Sequence, residues 1–469
     1  MRTPRKTKIL ATLGPATESP EMIRQLIEAG ANIFRLNMSH ASHDWSRQVV
    51  ATIREMSAAC DQSVAILVDL QGPSIRTGDV DGKLKIEPGC VVEFRNADLE
   101  PGESLSVTTN YSGLSEDVNV GDVMLVDNGE IHFKVTQQQP GRLVCEALTE
   151  GSMGSRRHIN LPGVRVNLPA LTKKDLLDIK LAAELDVDFV AISFVRDAEH
   201  IRYLRTQLAE VDFQAKIVAK IEDQEAVRNL SAIIDETDAV MVARGDLGIE
   251  VHIEELPVVQ RTILKECARI GRKVIVATHM LESMIENPVP TRAEITDVAN
   301  AVFEQADAVM LSGETSVGQY PVKCIEVLDR ITRRIEQEPG AGFCEALELR
   351  TEKQHSVRSA VVLANSLKDS KLIIFTVRGV LANYTAHQRP VHAPIFAFSP
   401  SDKVVRALNM NRSVVPFEMQ FADSPESTIR NAMEFLKDRN FVEAGDPCVI
   451  LSDVLNQDFD TEAILLRKA

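Results

Sequence analysis

Charged and polar side chains recur at one kind of position in this sequence, directly after short runs of Val, Ile, Leu and Ala. Lys220 and Glu222 close one such run, and Asp246 follows the next. Carboxylate oxygens are hard ligands suited to Mg²⁺, which keeps several waters and shares oxygens with a substrate. Arg35 and Arg76 add positive charge after other runs. Cations and a divalent metal around one point are what a transferring phosphoryl group needs, because that chemistry is mostly positioning and charge neutralisation.

A second group of oxygens follows the second and third apolar runs. Asn37, Ser39 and Asp69 together offer three oxygen ligands with a single formal charge, which suits a weakly held monovalent cation. Many of these polar residues are spaced two apart, which places them on one side of an extended chain. The pattern predicts one shared site at the ends of several strands.

Eight short apolar segments must position these residues. Each is rich in Val, Ile, Ala or Leu, as is typical of parallel strands buried on both faces. They cover residues 8–14, 32–37, 64–70, 189–194, 216–222, 239–246, 273–278 and 308–314. Amphipathic helical patterns such as 20–29 and 293–305 fill most of the gaps. Eight strand–helix units predict an α/β fold with a parallel (β/α)8 TIM barrel, whose chemistry lies at the carboxyl ends of the strands.

The gap between the third and fourth apolar segments is too long for a barrel connection. Its hydrophobic pattern has a period of two, and Asp-Gly, Pro-Gly and Asn-Gly pairs divide it. The gap therefore predicts an inserted all-β lid domain, a β-barrel over residues 73–166, on the catalytic face. The TIM barrel then comprises residues 1–72 and 167–338. A C-terminal open α/β domain, with a regulatory or oligomerisation role, is predicted over 339–469 because strand–helix alternation resumes after a polar stretch.

Two features bear on the reaction. The sequence has neither a Walker A loop nor a dinucleotide fingerprint, so a nucleotide would have to bind through side chains and metal between barrel and lid. Lys220 alone could also be a Schiff-base lysine of a barrel aldolase or a structural ion-pair partner. The carboxylates beside it favour metal-assisted chemistry.

Composition excludes several classes of protein. The 469-residue chain has a formal net charge of -16, which argues against a nucleic-acid binder with a basic surface. Apolar runs are shorter than the roughly 20 residues that span a bilayer, and the stretch after the basic N-terminus is too short for a secretory signal. The seven cysteines are widely spaced without a Cys-x-x-Cys pair, which predicts neither disulfides nor zinc. We therefore expect a cytoplasmic protein that binds neither nucleic acid nor membranes.

Several stretches resemble pyruvate kinases, over essentially the whole chain and most closely in the barrel. In chain order they are TKILATLGPAT (7–17), FRLNMSH (34–40), DLQGPSIRTG (69–78), NLPG (160–163), IVAKIE (217–222), MVARGDLG (241–248) and the run 277–321 with NPVPTRAE and LSGET. Separate motifs in one order make a chance resemblance negligible. The resemblance implies transfer of a phosphoryl group from phosphoenolpyruvate to ADP, giving pyruvate and ATP in glycolysis. It also implies a homo-oligomer, commonly a tetramer.

The resemblance assigns roles to individual residues. It implies Mg²⁺ or Mn²⁺ on two carboxylates and K⁺ on four oxygen donors, namely Glu222 and Asp246 for the divalent ion and Asn37, Ser39, Asp69 and the Leu70 carbonyl for K⁺. The implied substrate contacts are Arg35, Lys220, Gly245, Asp246 and Thr278, of which Arg35, Lys220 and Thr278 would be catalytic. Lys220 would stabilise charge on the phosphoryl group and the enolate, and Thr278 would lie near the face where the enolate is protonated. The implied nucleotide contacts are Asn37, His40, Arg76 and Arg157.

Three residues depart from the family pattern. Ser74 stands where members usually have a glutamate, which goes with K⁺ dependence, or a lysine, which replaces the ion. We therefore expect K⁺ to stimulate activity without being absolutely required. Arg157 replaces the usual lid lysine and keeps its charge with a different reach and fork. His279 replaces a usual glutamine beside Thr278.

The C-terminal domain departs further. In activated members a Ser/Thr-rich turn holds a sugar phosphate, whereas the turn over 376–381 has Thr376 and Gly379 but no serine. The second effector loop, 453–462, carries four carboxylates, which repel a phosphate. We therefore expect that fructose 1,6-bisphosphate does not activate through this pocket.

Two other functions stay open on the sequence alone. A Mg²⁺-dependent aldolase or lyase acting on pyruvate-like acids would share the barrel, the carboxylates and an arginine, but would need neither lid nor nucleotide site. A non-catalytic scaffold on the same fold would be expected to have lost Lys220, Glu222 or Asp246, and all three are present.

Overall fold

The computed structural model describes residues 4–102, 104–452 and 463–469. The chain begins with three parallel strands joined by helices, namely β1 (Lys8–Thr12), α1 (Pro20–Ala29), β2 (Ile33–Asn37), α2 (His43–Ala59) and β3 (Ala65–Asp69). Local signals set the bounds of α1. The Ser19 side chain accepts a hydrogen bond from the Met22 amide, Pro20 occupies the first turn, and Gly30 ends the helix at φ 114°.

The lid follows β3. It consists of short strands and one helical turn, namely β4 (Leu84–Ile86), β5 (Val91–Asn96), β6 (Leu105–Thr109), α3 (Leu114–Asp117), β7 (Val123–Val126), β8 (Ile131–Gln139), β9 (Arg142–Ala147), β10 (Gly151–Met153) and β11 (Ile159–Asn160). In the described part of the lid these strands pair as a six-stranded sheet, β11-β7-β8-β9-β5-β6, and a two-stranded sheet, β10-β4, rather than as one closed barrel. The predicted limits 73 and 166 fall outside the first and last of these strands.

The second part of the barrel resumes strand–helix alternation. Its elements are α4 (Lys173–Glu184), β12 (Phe189–Ile192), α5 (Ala198–Glu210), β13 (Lys216–Ile221), α6 (Gln224–Arg228), α7 (Leu230–Glu236), β14 (Ala239–Ala243), α8 (Arg244–Glu250), α9 (Leu256–Ile270), β15 (Lys273–Ala277), a 3₁₀ turn (Glu282–Ile285), α10 (Arg292–Phe303), β16 (Ala308–Leu311), α11 (Gly313–Ser316) and α12 (Pro321–Ile335). Eight parallel strands close in the order β1-β16-β15-β14-β13-β12-β3-β2. The predicted TIM barrel is confirmed.

Burial explains why these strands are apolar throughout. Every residue of β1, β3, β14 and β15 is buried. One face of the strands packs in the barrel interior, around residues such as Leu67, Phe189 and Met241, and the other packs against the surrounding helices. Met410, from the C-terminal domain, joins the interior cluster and is fully buried.

The C-terminal domain is an open α/β sheet. Its elements are a 3₁₀ turn (Phe343–Ala346), α13 (Glu352–Ser366), β17 (Lys371–Phe375), α14 (Val380–His387), β18 (Ile395–Ser399), α15 (Asp402–Leu408), β19 (Val414–Glu418), α16 (Pro425–Asp438), β20 (Pro447–Ser452) and β21 (Ala463–Lys468). The strand order is β19-β18-β17-β20-β21, with only β21 antiparallel. The predicted boundary at 338/339 falls between α12 and the 3₁₀ turn.

The segment leading into β1 joins the two large domains. The Lys6 carbonyl accepts a hydrogen bond from the Ser413 amide at 2.9 Å. The Lys6 ammonium donates to the Val391 carbonyl at 2.7 Å, and the buried Lys8 ammonium donates to the Val414 carbonyl. Residues from the start of the chain therefore tie the barrel to the C-terminal domain.

Candidate active site

A cavity of about 260 Å³ lies where the carboxyl ends of the barrel strands face the lid. Most of the residues predicted from the sequence line it, namely Arg35, Asn37, Ser39, Asp69, Leu70, Arg76, Arg157, Lys220, Glu222 and Asp246. The barrel supplies all of these except Arg76 and Arg157. The structure thus brings the predicted cations and oxygen donors to one place.

Lys220 lies at the centre of the charged network. Its ammonium donates to the Ser193 hydroxyl at 2.7 Å and forms ion pairs with Glu222 at 2.8 Å and Asp69 at 3.3 Å. Burial alone would lower the pKa of Lys220, but the charges of Asp69 and Glu222 raise it above its ordinary value. The amine therefore stays protonated and is fixed in direction by three partners.

Asp69 links Lys220 to Arg35. The Arg35 Nε donates to Asp69 Oδ2 at 2.7 Å, and its Nη1 donates to the Thr12 hydroxyl at 3.1 Å. Burial would raise the pKa of Asp69, but Lys220 and Arg35 hold it below its ordinary value. The carboxylate thus stays ionised and holds two cations at the mouth of the barrel, with both guanidinium and ammonium preorganised before any substrate arrives.

Glu222 and Asp246 are the carboxylates that a divalent ion would use. Glu222 accepts from the Phe194 amide at 2.6 Å, and burial together with the charge of Asp246 raises its pKa to about 7, against the opposing effect of Lys220. Asp246 has no hydrogen bond or ion pair within the described part of the chain. A cation between the two carboxylates would relieve their repulsion, so the residues fit Mg²⁺.

The donor set for a divalent ion is incomplete on its own. Among the described residues, no three His, Cys, Asp or Glu side chains converge so as to hold a metal. Mg²⁺ characteristically takes only one or two protein carboxylates and completes its shell with water and substrate phosphate. Two carboxylates facing a cavity therefore match Mg²⁺ better than zinc, which takes three or four protein ligands.

The predicted monovalent site is formed in part. Asp69 Oδ1 is buried and has no hydrogen bond within the described residues, although Lys220 lies 3.3 Å away. The Leu70 carbonyl accepts from the Ser193 hydroxyl at 2.8 Å, and Asn37 Oδ1 accepts from the Ser39 amide at 3.1 Å. Asp69 Oδ1, buried and without a hydrogen bond, is the observation that fits a further cation.

Thr278 and Gly245 lie just outside the lining of this cavity. The Gly245 amide donates to the Thr278 hydroxyl at 2.7 Å, and that hydroxyl donates to the Ala277 carbonyl at 2.6 Å. Thr278 has φ 66° and His279 φ 54°, both in the left-handed region that non-glycine residues rarely adopt. Since Gly245 precedes Asp246, the backbone here connects Thr278 to the cavity.

A second cavity, of about 730 Å³, adjoins the first and shares Arg35 and Asn37 with it. The predicted nucleotide contact His40 lines this cavity rather than the first. Trp45, from α2, also lines it and donates its indole N–H to Glu18 at 2.6 Å. The aromatic face and the neighbouring charged cavity form a continuous surface of a size and composition that suits a nucleotide.

The inserted lid domain contributes two arginines to the first cavity, namely Arg76 and Arg157. Arg76 Nε donates to the Ser74 hydroxyl at 3.1 Å. Arg157 forms a 3.3 Å ion pair with Asp127, which also lines the cavity. Ser74 therefore lies at the cavity as a neutral hydrogen-bond acceptor for Arg76 and adds no charge of its own.

Two residues that line the cavities were not predicted from the sequence, and two charged residues near the strand ends have other partners. Ser193 carries no chemical signature of its own, and Trp45 reaches the site through contacts between α2 and the loop after β1. Arg244, two residues before Asp246, donates to the Ala277 and Thr278 carbonyls and pairs with Asp297. Glu314, after β16, lies in α11, is fully buried, and accepts from the Leu281 and Ser312 amides. Both have structural rather than catalytic partners.

Of the two predicted effector segments, the turn over 376–381 lies within the described residues. The turn after β17 places Gly379 at φ 78°, and its amide donates to the Thr376 hydroxyl at 3.0 Å. The acidic loop over 453–462 lies outside the described residues. The expectation about fructose 1,6-bisphosphate therefore stays a prediction.

Family models match most of the chain. Residues 4–325 match the pyruvate kinase barrel domain, and residues 355–464 match the pyruvate kinase alpha/beta domain.

Within the described residues, no helix has both the length and the apolar character needed to cross a membrane.

Individual proteins are similar along nearly the whole length. Plastidial pyruvate kinase 3 of Arabidopsis thaliana is 38% identical over 99% of this chain and 82% of its own. The pyruvate kinases of Dictyostelium discoideum and Geobacillus stearothermophilus are 37% and 38% identical over 96% of this chain, covering 91% and 78% of theirs. A crystal structure of a pyruvate kinase from Cryptosporidium parvum superposes with a TM-score of 0.93 at 32% identity, covering 98% of this chain and 96% of that one.

Proposed function

The chain belongs to the pyruvate kinase family and is a phosphotransferase, and from this premise we propose how its own residues move the phosphoryl group from phosphoenolpyruvate to ADP. The observation that carries the proposal is the buried network of Arg35, Asp69, Lys220 and Glu222 at the mouth of the barrel, beside Asp246. It presents two fixed cations and two carboxylates suited to Mg²⁺ to one cavity. The family match favours phosphotransfer over the aldolase alternative, which would need neither the lid nor the second cavity.

Arg35 and Lys220 would bind the phosphoryl oxygens. Asp69 holds both cations in place, so little reorganisation is needed when charge moves from the enol oxygen to the attacking oxygen of ADP. In that step the phosphorus–oxygen bond of phosphoenolpyruvate breaks and a bond to the terminal phosphate oxygen of ADP forms. Lys220 would then stabilise the negative charge left on the enolate oxygen.

Glu222 and Asp246 would hold Mg²⁺ or Mn²⁺, which supplies positive charge for the phosphate oxygens. Thr278 would position the group that delivers a proton to the enolate carbon, completing pyruvate. Its hydroxyl is already fixed between the Gly245 amide and the Ala277 carbonyl. The donor oxygens around Asp69 would hold K⁺, which we expect to stimulate without being absolutely required.

The nucleotide would span both cavities. Its phosphates would lie near Arg76 and Arg157, and its base near His40 and Trp45, with Asn37 between them. Trp45 is the only tryptophan in the chain, so its fluorescence reports on this surface.

The reaction is tested by mixing the protein with phosphoenolpyruvate, ADP and Mg²⁺ and following pyruvate, with K⁺ present or replaced by a large inert cation. We expect pyruvate only when ADP and Mg²⁺ are both present, with a moderate loss when K⁺ is replaced. Enolpyruvate chemistry without ATP formation would support the aldolase alternative, and no turnover in either salt would support the scaffold. Complete loss without K⁺ would contradict the expectation drawn from Ser74.

Nucleotide placement is tested by titrating ADP while recording tryptophan emission. We expect a saturable change in intensity that is absent in Trp45→Phe, and a matching affinity by calorimetry for both proteins within a few-fold. ADP binding detected by calorimetry without any emission change would contradict the placement of the base beside Trp45.

A homotetramer and a cytoplasmic location are also part of the proposal. The exposed side chains of Ile253, Val289 and Val362 would suit subunit contacts. Sedimentation of the purified protein gives the oligomeric mass directly, and a monomer at micromolar concentration would contradict the tetramer.

A further inference from the structure

The short helix α8 carries a proposed metal ligand in its first turn and a second carboxylate at its end. Asp246 lies in the first turn, and Glu250 is the last residue of the helix. Side chains four residues apart on a helix lie on the same side, one turn from each other. Glu250 therefore lies on the same side of α8 as Asp246, which lines the active-site cavity.

Glu250 contacts the lid across the boundary between the two domains. The side-chain amide of Asn160, in β11, donates to Glu250 Oε1 at 3.0 Å. Glu250 is only 9% exposed and Asn160 only 5%, so water screens this contact little. Burial, together with the charges of Asp223 and Asp246, raises the pKa of Glu250 to about 7, and the hydrogen bond from Asn160 opposes that rise. The contact thus stabilises a buried carboxylate next to the metal site.

Other contacts at this boundary do not replace the one between Glu250 and Asn160. Asn160 Oδ1 is buried and has no hydrogen bond within the described residues, so only the amide nitrogen fixes this side chain. Arg196 also binds the lid connection, by donating to the carbonyls of Val166 and Leu168. Those carbonyls lie beyond β11, where the chain returns to the barrel. The strand itself is held by Glu250.

Strand β11 leads directly into the active-site cavity. It pairs antiparallel with β7, and β11 begins and β7 ends at the same end of this pair. The residues next to that end line the cavity, namely Arg157 and His158 before β11 and Asp127 and Asn128 after β7. Arg157 is only three residues from Asn160, so a shift of β11 along α8 would move this arginine.

The lid also rests on α8 through the turn between β7 and β8. A β-carbon on Gly129, in that turn, would lie 3.4 Å from the Ile249 side chain. The end of α8 is held from the barrel side, because the Gln224 side chain donates to the Glu250 carbonyl. One helix therefore carries Asp246 and supports the lid at two places.

We propose that Glu250 is a positioning residue for phosphoryl transfer, which holds β11 on α8 through Asn160. It would thereby set the distance between Arg157 of the lid and Asp246 of the barrel. Glu250 does not line the active-site cavity, so it acts through these residues rather than on substrate. The inference rests on the proposed nucleotide site, in which the ADP phosphates lie near Arg157. The residues proposed to bind phosphoenolpyruvate all belong to the barrel, so the contact bears on ADP.

The test compares the KM for ADP, the KM for phosphoenolpyruvate and kcat, with thermal unfolding of the same samples. Asn160→Ala and Glu250→Ala each remove the hydrogen bond and should raise the KM for ADP about tenfold, leaving the KM for phosphoenolpyruvate within about twofold. Combining them should cost no more than either alone, because both remove one contact. A merely structural role would raise both KM values together. Glu146→Ala, an exposed residue of β9, is the control and should match wild type.

Reversing the direction of the hydrogen bond avoids the space that alanine leaves. Asn160→Asp sets two carboxylates together without a donor, so it should raise the KM for ADP more than Asn160→Ala does. Glu250→Gln supplies a new donor, so the double variant Asn160→Asp/Glu250→Gln should recover most of the loss. A double variant as poor as Asn160→Asp, or a wild-type KM for ADP in both alanine variants, would overturn the proposal. These results differ from a failure of the proposed function, in which the wild type itself would form no pyruvate.

Discussion

Replacing Lys220 with methionine tests the centre of the proposed mechanism. The substitution removes the ammonium while keeping a flexible side chain of similar length. Three contacts disappear, to Ser193 at 2.7 Å, Glu222 at 2.8 Å and Asp69 at 3.3 Å. The cavity then faces phosphoenolpyruvate with one fixed cation instead of two.

The expected size of the effect has two parts. Removing a single preorganised donor from a developing negative charge lowers kcat by about 10²–10³, and a full charge in a buried site should reach at least the upper end. Removing one partner of a buried ion pair also costs about 3–5 kcal/mol of folding stability, because carboxylates are left uncompensated. Lys220→Met should therefore lose at least ~10³ in kcat and unfold at a lower temperature.

The double variant Lys220→Met/Glu222→Gln separates these parts. It replaces the Glu222 carboxylate, which has lost its cation, by a neutral amide. We therefore expect the unfolding temperature to recover in part and kcat to stay low. Lys220→Arg keeps the charge but its planar fork cannot reproduce the three contacts, so it should restore stability more than kcat. Lys180→Met, an exposed lysine of α4, is the matched control and should behave as wild type.

The assay is pyruvate formation at saturating substrates, with circular dichroism and thermal unfolding on the same samples. More than a tenth of wild-type kcat in a folded Lys220→Met protein would refute the assigned role. Loss of activity in proportion to loss of folded protein would reduce Lys220 to a structural residue.

Three further outcomes are expected. Asp246→Asn should raise the Mg²⁺ concentration for half-maximal activity at least tenfold with little change in unfolding temperature, and an unchanged requirement would remove it as a ligand. Asp307→Asn leaves the buried Arg389 guanidinium without its carboxylate and should lower the free energy of unfolding in urea by about 3–5 kcal/mol. Adding Arg389→Gln should partly reverse this loss. If the two substitutions instead destabilise the protein additively, the pairing would be contradicted. Burial lowers the pKa of Lys8 to about 7 from 10.5, so between these values the unfolded chain binds more protons and stability rises with pH, by at most about 5 kcal/mol. Lys8→Met should flatten this slope, and a slope equal to wild type would show that Lys8 is not its source.

The barrel could be predicted from the sequence because its strands are buried on both faces. Runs such as 239–243 are apolar at every position, and helical patterns separate them, so the number and order of units were evident. The lid was predicted as all-β from its period of two. Its pairing into a six-stranded and a two-stranded sheet was not, because register depends on contacts between distant strands.

The site was predictable where side-chain type alone indicates chemistry. Lys220 and Glu222 are charged residues at the end of a buried strand, and the structure places both in the cavity. Asp246 was expected on an extended chain but lies in the first turn of α8, because the helix begins at Arg244, directly after β14. Ser193 and Trp45 could not be predicted, since their positions depend on how separate elements pack.

The hydrogen bond from the first residue of β1 to the C-terminal domain constrains the order of events during synthesis. Lys8 and its partner Val414 are 406 residues apart in the chain. At ribosomal rates of roughly 5–20 residues per second, the start of the chain waits about 20–80 s for that partner to appear. For most of this interval β1 also lacks β16, so the nascent barrel has an open seam with an unpaired strand edge. Closure of the barrel and docking of the C-terminal domain are therefore late events, and the nascent chain should depend on chaperones most strongly just before β16 emerges.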